Sequence, residues 1–105
     1  MVTYNRTVFD ALADPTRRQI LDLLRIRERS AGDVAAQFPV SRPAISRHLR
    51  VLREAGLVVQ RKDAQSRVYR LQPERLREVD KWLDNYRVFW TARMQQLKRY
   101  VEERQ

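Results

Sequence analysis

Cysteine is missing from the 105-residue chain, histidine occurs once, and there are only two glycines and four prolines. Without cysteine there is no disulfide, no thiolate nucleophile and no thiolate metal ligand. The two glycines, Gly32 and Gly56, stand far apart, so no glycine-rich loop is available to cradle a phosphate. A lone histidine and no evident carboxylate pair leave general acid–base chemistry without its usual parts. No stretch approaches the roughly 18 consecutive apolar residues of a membrane span. The polar start, MVTYNRT, is unlike a signal peptide, and with no disulfides to protect, cytoplasmic residence is expected. Internal repeats and low-complexity segments are also missing. Neither an enzyme nor a resident cofactor is expected from such a chain.

What is abundant is positive charge. Twenty-two Lys and Arg stand against 13 Asp and Glu, a net charge of +9. The excess is concentrated. Residues 41–72 hold eight basic side chains and only two acidic ones, Glu54 and Asp63, so most of the surplus sits on less than a third of the chain. A basic total alone can serve solubility, but one basic segment points to a polyanionic partner. The length suits one domain with a modest core.

Within that basic segment lies SRPAISRHLRVLREAG, residues 41–56, which reads as one sharply bounded helix. The Ser41 hydroxyl can cap its start, Pro43 is tolerated in the first turn, and Gly56 suits a left-handed stop. At about 100° per residue, Ala44, Ile45, Leu49, Val51, Leu52 and Ala55 gather on one arc. Arg42, Ser46, Arg47, Arg50 and Arg53 fall on the other. A helix with an apolar back and an arginine–serine front can stand on a small core and enter a DNA major groove. His48 lies at the edge of the apolar arc, where packing with one ring nitrogen toward a phosphate or backbone group is expected rather than metal ligation.

The flanking chain has helical and then strand periodicity. Residues 7–13 form a short helix with Val8, Phe9 and Leu12 as its apolar side. Asp14-Pro15 then opens a second helix to about Arg25, buried through Ile20, Leu21, Leu23 and Leu24. Arg17 and Arg18 occupy its first turn, where the helix dipole disfavours them, and are either solvated or directed at phosphate. Ser30 caps a third helix, Ala31 to Gln37, with Val34, Ala35 and Phe38 inward, and Pro39-Val40 turns into Ser41. Short helix, tight turn and arginine-faced helix make a helix-turn-helix. Leu57 to Lys62 and Arg67 to Leu71 then form a β-hairpin. It lacks an Asn-Gly pair, so a longer, mobile tip is expected, crowded by Arg61, Lys62 and Arg67.

From Pro73 to about Glu103 the pattern is helical. Leu76, Val79, Leu83, Tyr86 and Trp90 step by three and four, and Met94, Leu97 and Val101 continue after a shift of one. That shift predicts a kink or a break near Phe89–Trp90. Trp82, Phe89 and Tyr100 form a second stripe beside the first. One stripe is expected to pack on its own domain and the other on a second subunit, with Trp82, Tyr86, Phe89, Trp90 and Leu97 at the dimer contact. The same aromatics are alternatively the lining of a small apolar pocket between subunits. The predicted architecture is mainly α with a small β-hairpin, an α+β winged helix-turn-helix. Residues 7–72 bind DNA and 73–103 form a helical dimerisation region within one domain spanning 1–105.

PTRRQILDLL, SRPAISRHLRVLREAGLV and RVYRL, with the spacing between them, resemble the ArsR-type family of winged-helix transcriptional repressors. The likeness covers residues 7–72, and its second block is the most specific. The resemblance implies a homodimer that binds a near-palindromic operator and blocks transcription, often of its own operon. Carried onto matching positions, it implies that Ser41, Arg42, Ser46, Arg47 and Arg50 face DNA, with Arg61, Lys62 and Arg67 on the wing. Metal-sensing members hold cysteine or histidine clusters on the helix before the recognition helix or on the C-terminal helices. Here those places read AGDVAAQF and EVDKWLDNYRVFW, with neither residue, so no metal ligand carries over. Glu78, Asp80 and Asp84 do not share a face at ligand spacing. The YRVFWTARM region resembles the branch that includes autorepressors. The expected partner is therefore double-stranded DNA read by a dimer, with the inducer, small molecule or protein, left open. Arg47 is first choice for bidentate contact to guanine, Arg42 second and Ser46 beside them, while Arg50, Arg53 and the wing cations neutralise phosphates. The competing reading is a winged helix that binds RNA or a protein partner.

Overall fold

The computed structural model describes residues 6–104; the polar start at residues 1–5 lies outside them. Three helices precede the arginine-rich one: α1 (Val8–Leu12), α2 (Pro15–Ile26) and α3 (Ala31–Ala35). Each opens on a side-chain cap, expected at Asp14 and Ser30 but not at Thr7. The Thr7 hydroxyl accepts from the Asp10 N–H at 3.0 Å, Asp14 accepts from the Arg17 N–H at 3.0 Å, and Ser30 accepts from the Asp33 N–H at 3.1 Å. The arginine-rich helix, α4, spans Arg42–Glu54, with the Ser41 hydroxyl accepting from the Ala44 N–H at 3.2 Å. It stops where expected: Gly56 has φ 76°, and its N–H donates to the Arg53 carbonyl at 2.9 Å.

Ile45, Leu49, Val51 and Leu52 of α4 form the centre of the core. They meet Val8 and Ala11 of α1, Ile20, Leu21 and Leu24 of α2, Val34 of α3, and Ala55, Leu57 and Val58 beyond α4. Fully burying each of the larger aliphatics contributes about 1.5–3 kcal/mol, which anchors α4 by its back and leaves its front free. Two expectations for α1 and α2 shift slightly. Ala11 rather than Phe9 is α1's buried partner to Val8, and Leu23 is only partly covered.

After α4 come β2 (Val58–Asp63) and β3 (Ser66–Leu71), preceded in the chain by a two-residue strand, β1 (Arg29–Ser30). The sheet is antiparallel in the order β1-β3-β2. Strand β1 has no counterpart in the sequence pattern, because two residues carry no periodicity. The hairpin tip also differs from expectation. Asp63 pairs with Ser66, leaving only Ala64-Gln65 in the turn, and Ala64 takes φ 57°, the left-handed region usually given to Asn or Gly. Complete cross-strand pairing up to the tip holds this tight turn without the usual residues.

A 3-10 turn at Pro73–Leu76 leads into α5 (Arg77–Glu103), one uninterrupted helix without the predicted break. At 1.5 Å per residue it is about 40 Å long, and it accounts for much of the molecule's 63 Å long axis. Its apolar residues divide along its length, not around it into an inward and an outward stripe as expected. Leu76 and Val79 pack on the core edge, whereas none of α5's residues is buried. The distal turns simply extend past the globular part.

Candidate nucleic-acid interface

The front of α4 presents Arg42, Ser46, Arg47, Arg50 and Arg53, all exposed. Arg42, Arg47 and Arg53 have no hydrogen-bond or ion-pair partner among the described residues. Arg50 reaches only to 3.9 Å from Glu54, whose carboxylate is held at 2.7 Å by the Arg6 guanidinium. Ser41 is exposed at the entry to this face, but its hydroxyl is engaged as the cap. The Arg42 guanidinium lies over Gly32 at the start of α3, 3.7 Å from where a Cβ would stand, so the front of α4 reaches across α3.

Strand register sorts the hairpin's cations onto two sides. Val58 pairs with Leu71, Gln60 with Tyr69, and Lys62 with Arg67; these three pairs share one face because side chains alternate. That face runs from the core, past the front of α4, to the tip. Arg61, paired with Val68, points the other way and donates to both carboxylate oxygens of Glu28 at 2.7 and 2.8 Å. This hydrogen-bonded pair holds the Glu28 carboxyl below its ordinary range. The pairing is therefore kept above the usual carboxylate pKa and lost as pH falls through the lowered one. Lys62 and Arg67 have no such partner among the described residues. The structure thus gathers Lys62 and Arg67 with the α4 arginines and sets Arg61 apart. An Arg61→Ala variant is expected to leave the salt dependence of DNA binding unchanged. Glu28→Gln, which frees Arg61, should steepen the slope by up to about 0.9 per half-site. A titration series at several salt concentrations distinguishes the two.

Between α4 and the hairpin lies a cleft of about 660 Å³ lined by Pro43, Ser46, Arg47, Arg50, Arg53, Gln60, Arg67 and Tyr69. No carboxylate lines it. A second cleft, about 320 Å³, continues past Ser46 and Arg67 to Arg42, Ser30 and Gly32. Gln60 and Tyr69 are the residues that sequence reasoning missed. Alternation counted from Val58 would have found Gln60, but Tyr69 needed the register.

Arg17 is partly covered and Arg18 exposed, and both guanidinium groups are engaged by carbonyls of α1. Arg17 Nε donates to the Ala11 carbonyl at 2.7 Å, and Arg18 donates to the Leu12 carbonyl at 2.7 Å. They terminate α1, whose free carbonyls outweigh the unfavourable dipole of α2. His48 is largely covered, with Nδ1 3.3 Å from Arg17 and 4.0 Å from Asp14. One ring nitrogen, Nδ1, thus faces the side chain of Arg17. Burial pushes the Asp14 carboxyl up, but the Arg17 N–H and the nearby His48 outweigh it and leave it below its usual value. Asp80 and Asp84 are both engaged by Arg87, and no group of three or more His, Asp or Glu side chains suited to a metal occurs among the described residues.

On α5, Trp82, Tyr86, Phe89, Trp90 and Leu97 are each between 42% and 62% exposed. Trp82 makes an edge-on contact with Phe9 at 5.6 Å and a tilted one with Tyr86 at 5.0 Å.

Residues 14–59 match the model of the bacterial regulatory protein arsR family, from the cap of α2 to the first two residues of β2. The transcriptional repressor SdpR of Bacillus subtilis is 40% identical over 79 residues, covering 75% of this chain and 88% of that protein. This chain belongs to the ArsR family. A helix-turn-helix-type transcriptional regulator of Mycobacterium tuberculosis is 45% identical over 83 residues, covering 79% of this chain and 75% of its own. Among solved structures, a possible transcriptional regulator for arsenical resistance superposes with a TM-score of 0.68 at 48% identity, covering 73% of this chain and 80% of that one. As an ArsR-family protein the chain is a DNA-binding transcriptional regulator with a winged helix-turn-helix, and its family is one of regulators, not enzymes. No helix among the described residues is long and apolar enough to cross a membrane.

Proposed function

We propose that the protein is a homodimeric repressor that binds a near-palindromic operator, including that of its own operon, and is released by a signal other than a metal on cysteine or histidine. The observation that carries this reading is the unpaired cationic face, Arg42, Arg47 and Arg53 of α4 beside Lys62 and Arg67 of the wing, with no carboxylate in the cleft between them. Two such faces in a dimer meet successive major grooves about 34–36 Å apart. Arg47, exposed midway along α4, contacts guanine O6 and N7 through its planar fork, with Arg42 and Ser46 beside it. Arg50, Arg53, Lys62 and Arg67 neutralise the flanking phosphates. The chain has no cysteine and one histidine, and that histidine is packed against Arg17, which favours an inducer of another kind. The exposed aromatics of α5 serve as the dimer contact.

Fluorescence anisotropy with DNA from upstream of the protein's own gene, beside a scrambled duplex and a random RNA of equal length, tests the reading. A preference of about 10³-fold or more for the upstream DNA is expected. Arg47→Ala should cost roughly 1–3 kcal/mol per contact and relax that preference. Equal weakening on every duplex would remove Arg47's base-reading role. Binding to random RNA as tight as to any duplex would transfer the face to RNA.

A further inference from the structure

The cleft between α4 and the hairpin contains more than cations. Gln60 and Tyr69 sit directly opposite each other in the register, midway along the face that leads from Val58 and Leu71 to Lys62 and Arg67. Both are half-buried, and neither the Gln60 amide nor the Tyr69 hydroxyl has a hydrogen-bond partner among the described residues. Neither group is a buried polar atom left without a partner, so both reach solvent in the cleft and are available to a ligand that enters it. The Tyr69 ring packs against the core, which fixes the position of its hydroxyl.

The character of that partner follows from the lining. Arg47, Arg50, Arg53 and Arg67 surround the two residues, and guanidinium groups only donate. A base edge presents donors and acceptors together, whereas a phosphate presents acceptors alone and carries the opposite charge. Lys62 and Arg67 also stand directly across from each other at the end of the same face, a like-charge pair that is unfavourable until an anion lies near it.

We propose that Gln60 and Tyr69 form a neutral clamp for one backbone phosphate of the bound duplex, seated between α4 and the wing. This rests on the DNA-binding reading above and assigns a positioning role within it. The arginines supply attraction that acts over a distance, while the clamp acts only at hydrogen-bond range. It therefore fixes how far α4 enters the groove relative to the wing.

The test compares the wild-type protein with Tyr69→Phe, Gln60→Met and Arg53→Ala on the upstream and scrambled duplexes across a salt series. Tyr69→Phe keeps the packed ring, and Gln60→Met keeps the length of the side chain. Each should weaken both duplexes by the same factor, about 3- to 10-fold per half-site, with the salt slope unchanged. Arg53→Ala should instead reduce the slope by about 0.9 per half-site. Circular dichroism melting serves as the folding control. Wild-type affinity in both Tyr69→Phe and Gln60→Met would overturn the clamp, as would an effect confined to the upstream duplex, which would mean base reading. Inorganic phosphate, added at constant ionic strength, should not displace the duplex in the millimolar range. Displacement that depends on Tyr69 would assign the cleft to the free ion. If the wild-type protein bound no duplex, the proposed function would fail and the clamp with it, whereas intact wild-type binding with unaffected clamp variants would overturn the clamp alone.

Discussion

Replacing Trp90 and Leu97 together with aspartate is expected to convert the protein to a monomer and lower its affinity for a two-half-site operator by about 10²–10⁴-fold. The two side chains lie seven residues apart, nearly two full turns, and so share one face of α5. Both are at least half exposed, and Phe89, Met94, Tyr100 and Val101 extend the same apolar surface. Solvated charges on this helix would cost nothing if the face were wet in the active form. In a dimer core, four new carboxylates would be buried without partners, which no such contact tolerates. The loss in DNA affinity follows because each half-site must then be bound separately. Sedimentation velocity reports the assembly, and anisotropy on full and half operators reports the coupling. A double variant that remained dimeric and bound the full operator normally would place the dimer contact elsewhere. Equal exposure argues that the whole distal half participates, so either single substitution should give an intermediate effect.

A second large effect is expected from salt. Arg50, Arg53, Lys62 and Arg67 are the four cations assigned to phosphates in each protomer, and none is held in a close hydrogen-bonded ion pair among the described residues. Eight such contacts in a dimer correspond to a slope of about −7 in log K against log salt, a loss of roughly 10⁴-fold between 50 and 200 mM. Counting Arg61 as a ninth and tenth contact would steepen the slope to about −9, so the measured slope reports whether Glu28 keeps that guanidinium from the duplex. Titration at four or five salt concentrations suffices. A slope near −2 would mean that the arginine face does not lie along the backbone at all.

How far these residues were legible in advance differs from element to element. The ends of α4 and the division of its two faces follow from Ser41, Gly56 and the spacing of its leucines, because capping and helical periodicity act within four or five residues. The same holds for Asp14 at α2 and Ser30 at α3. The wing's existence was legible too, from the change to strand residues after Gly56. Which of its cations look toward α4 was not. A shift of one residue in pairing exchanges the faces, and neither the turn length nor the unusual Ala64 conformation carries a clear signature in Asp63-Ala64-Gln65-Ser66 at the tip. Proximity along the chain groups Arg61 with Lys62 and Arg67, and pairing with Glu28, 33 residues away, separates them.

The sequence by itself determined that this chain folds around an amphipathic, arginine-fronted helix, that a hairpin follows it, and that a long apolar-sided helix closes it. Those conclusions rest on local interactions, which the order of residues specifies directly. Only the tertiary structure decided that Arg17 and Arg18 terminate α1, that Gln60 and Tyr69 share a cleft with four arginines, and that α5 leaves the core after its first turns with its aromatics uncovered. Each of these depends on which distant segments meet. Strand register and the angle at which helices pack set that outcome through many small contacts, and no single residue announces it.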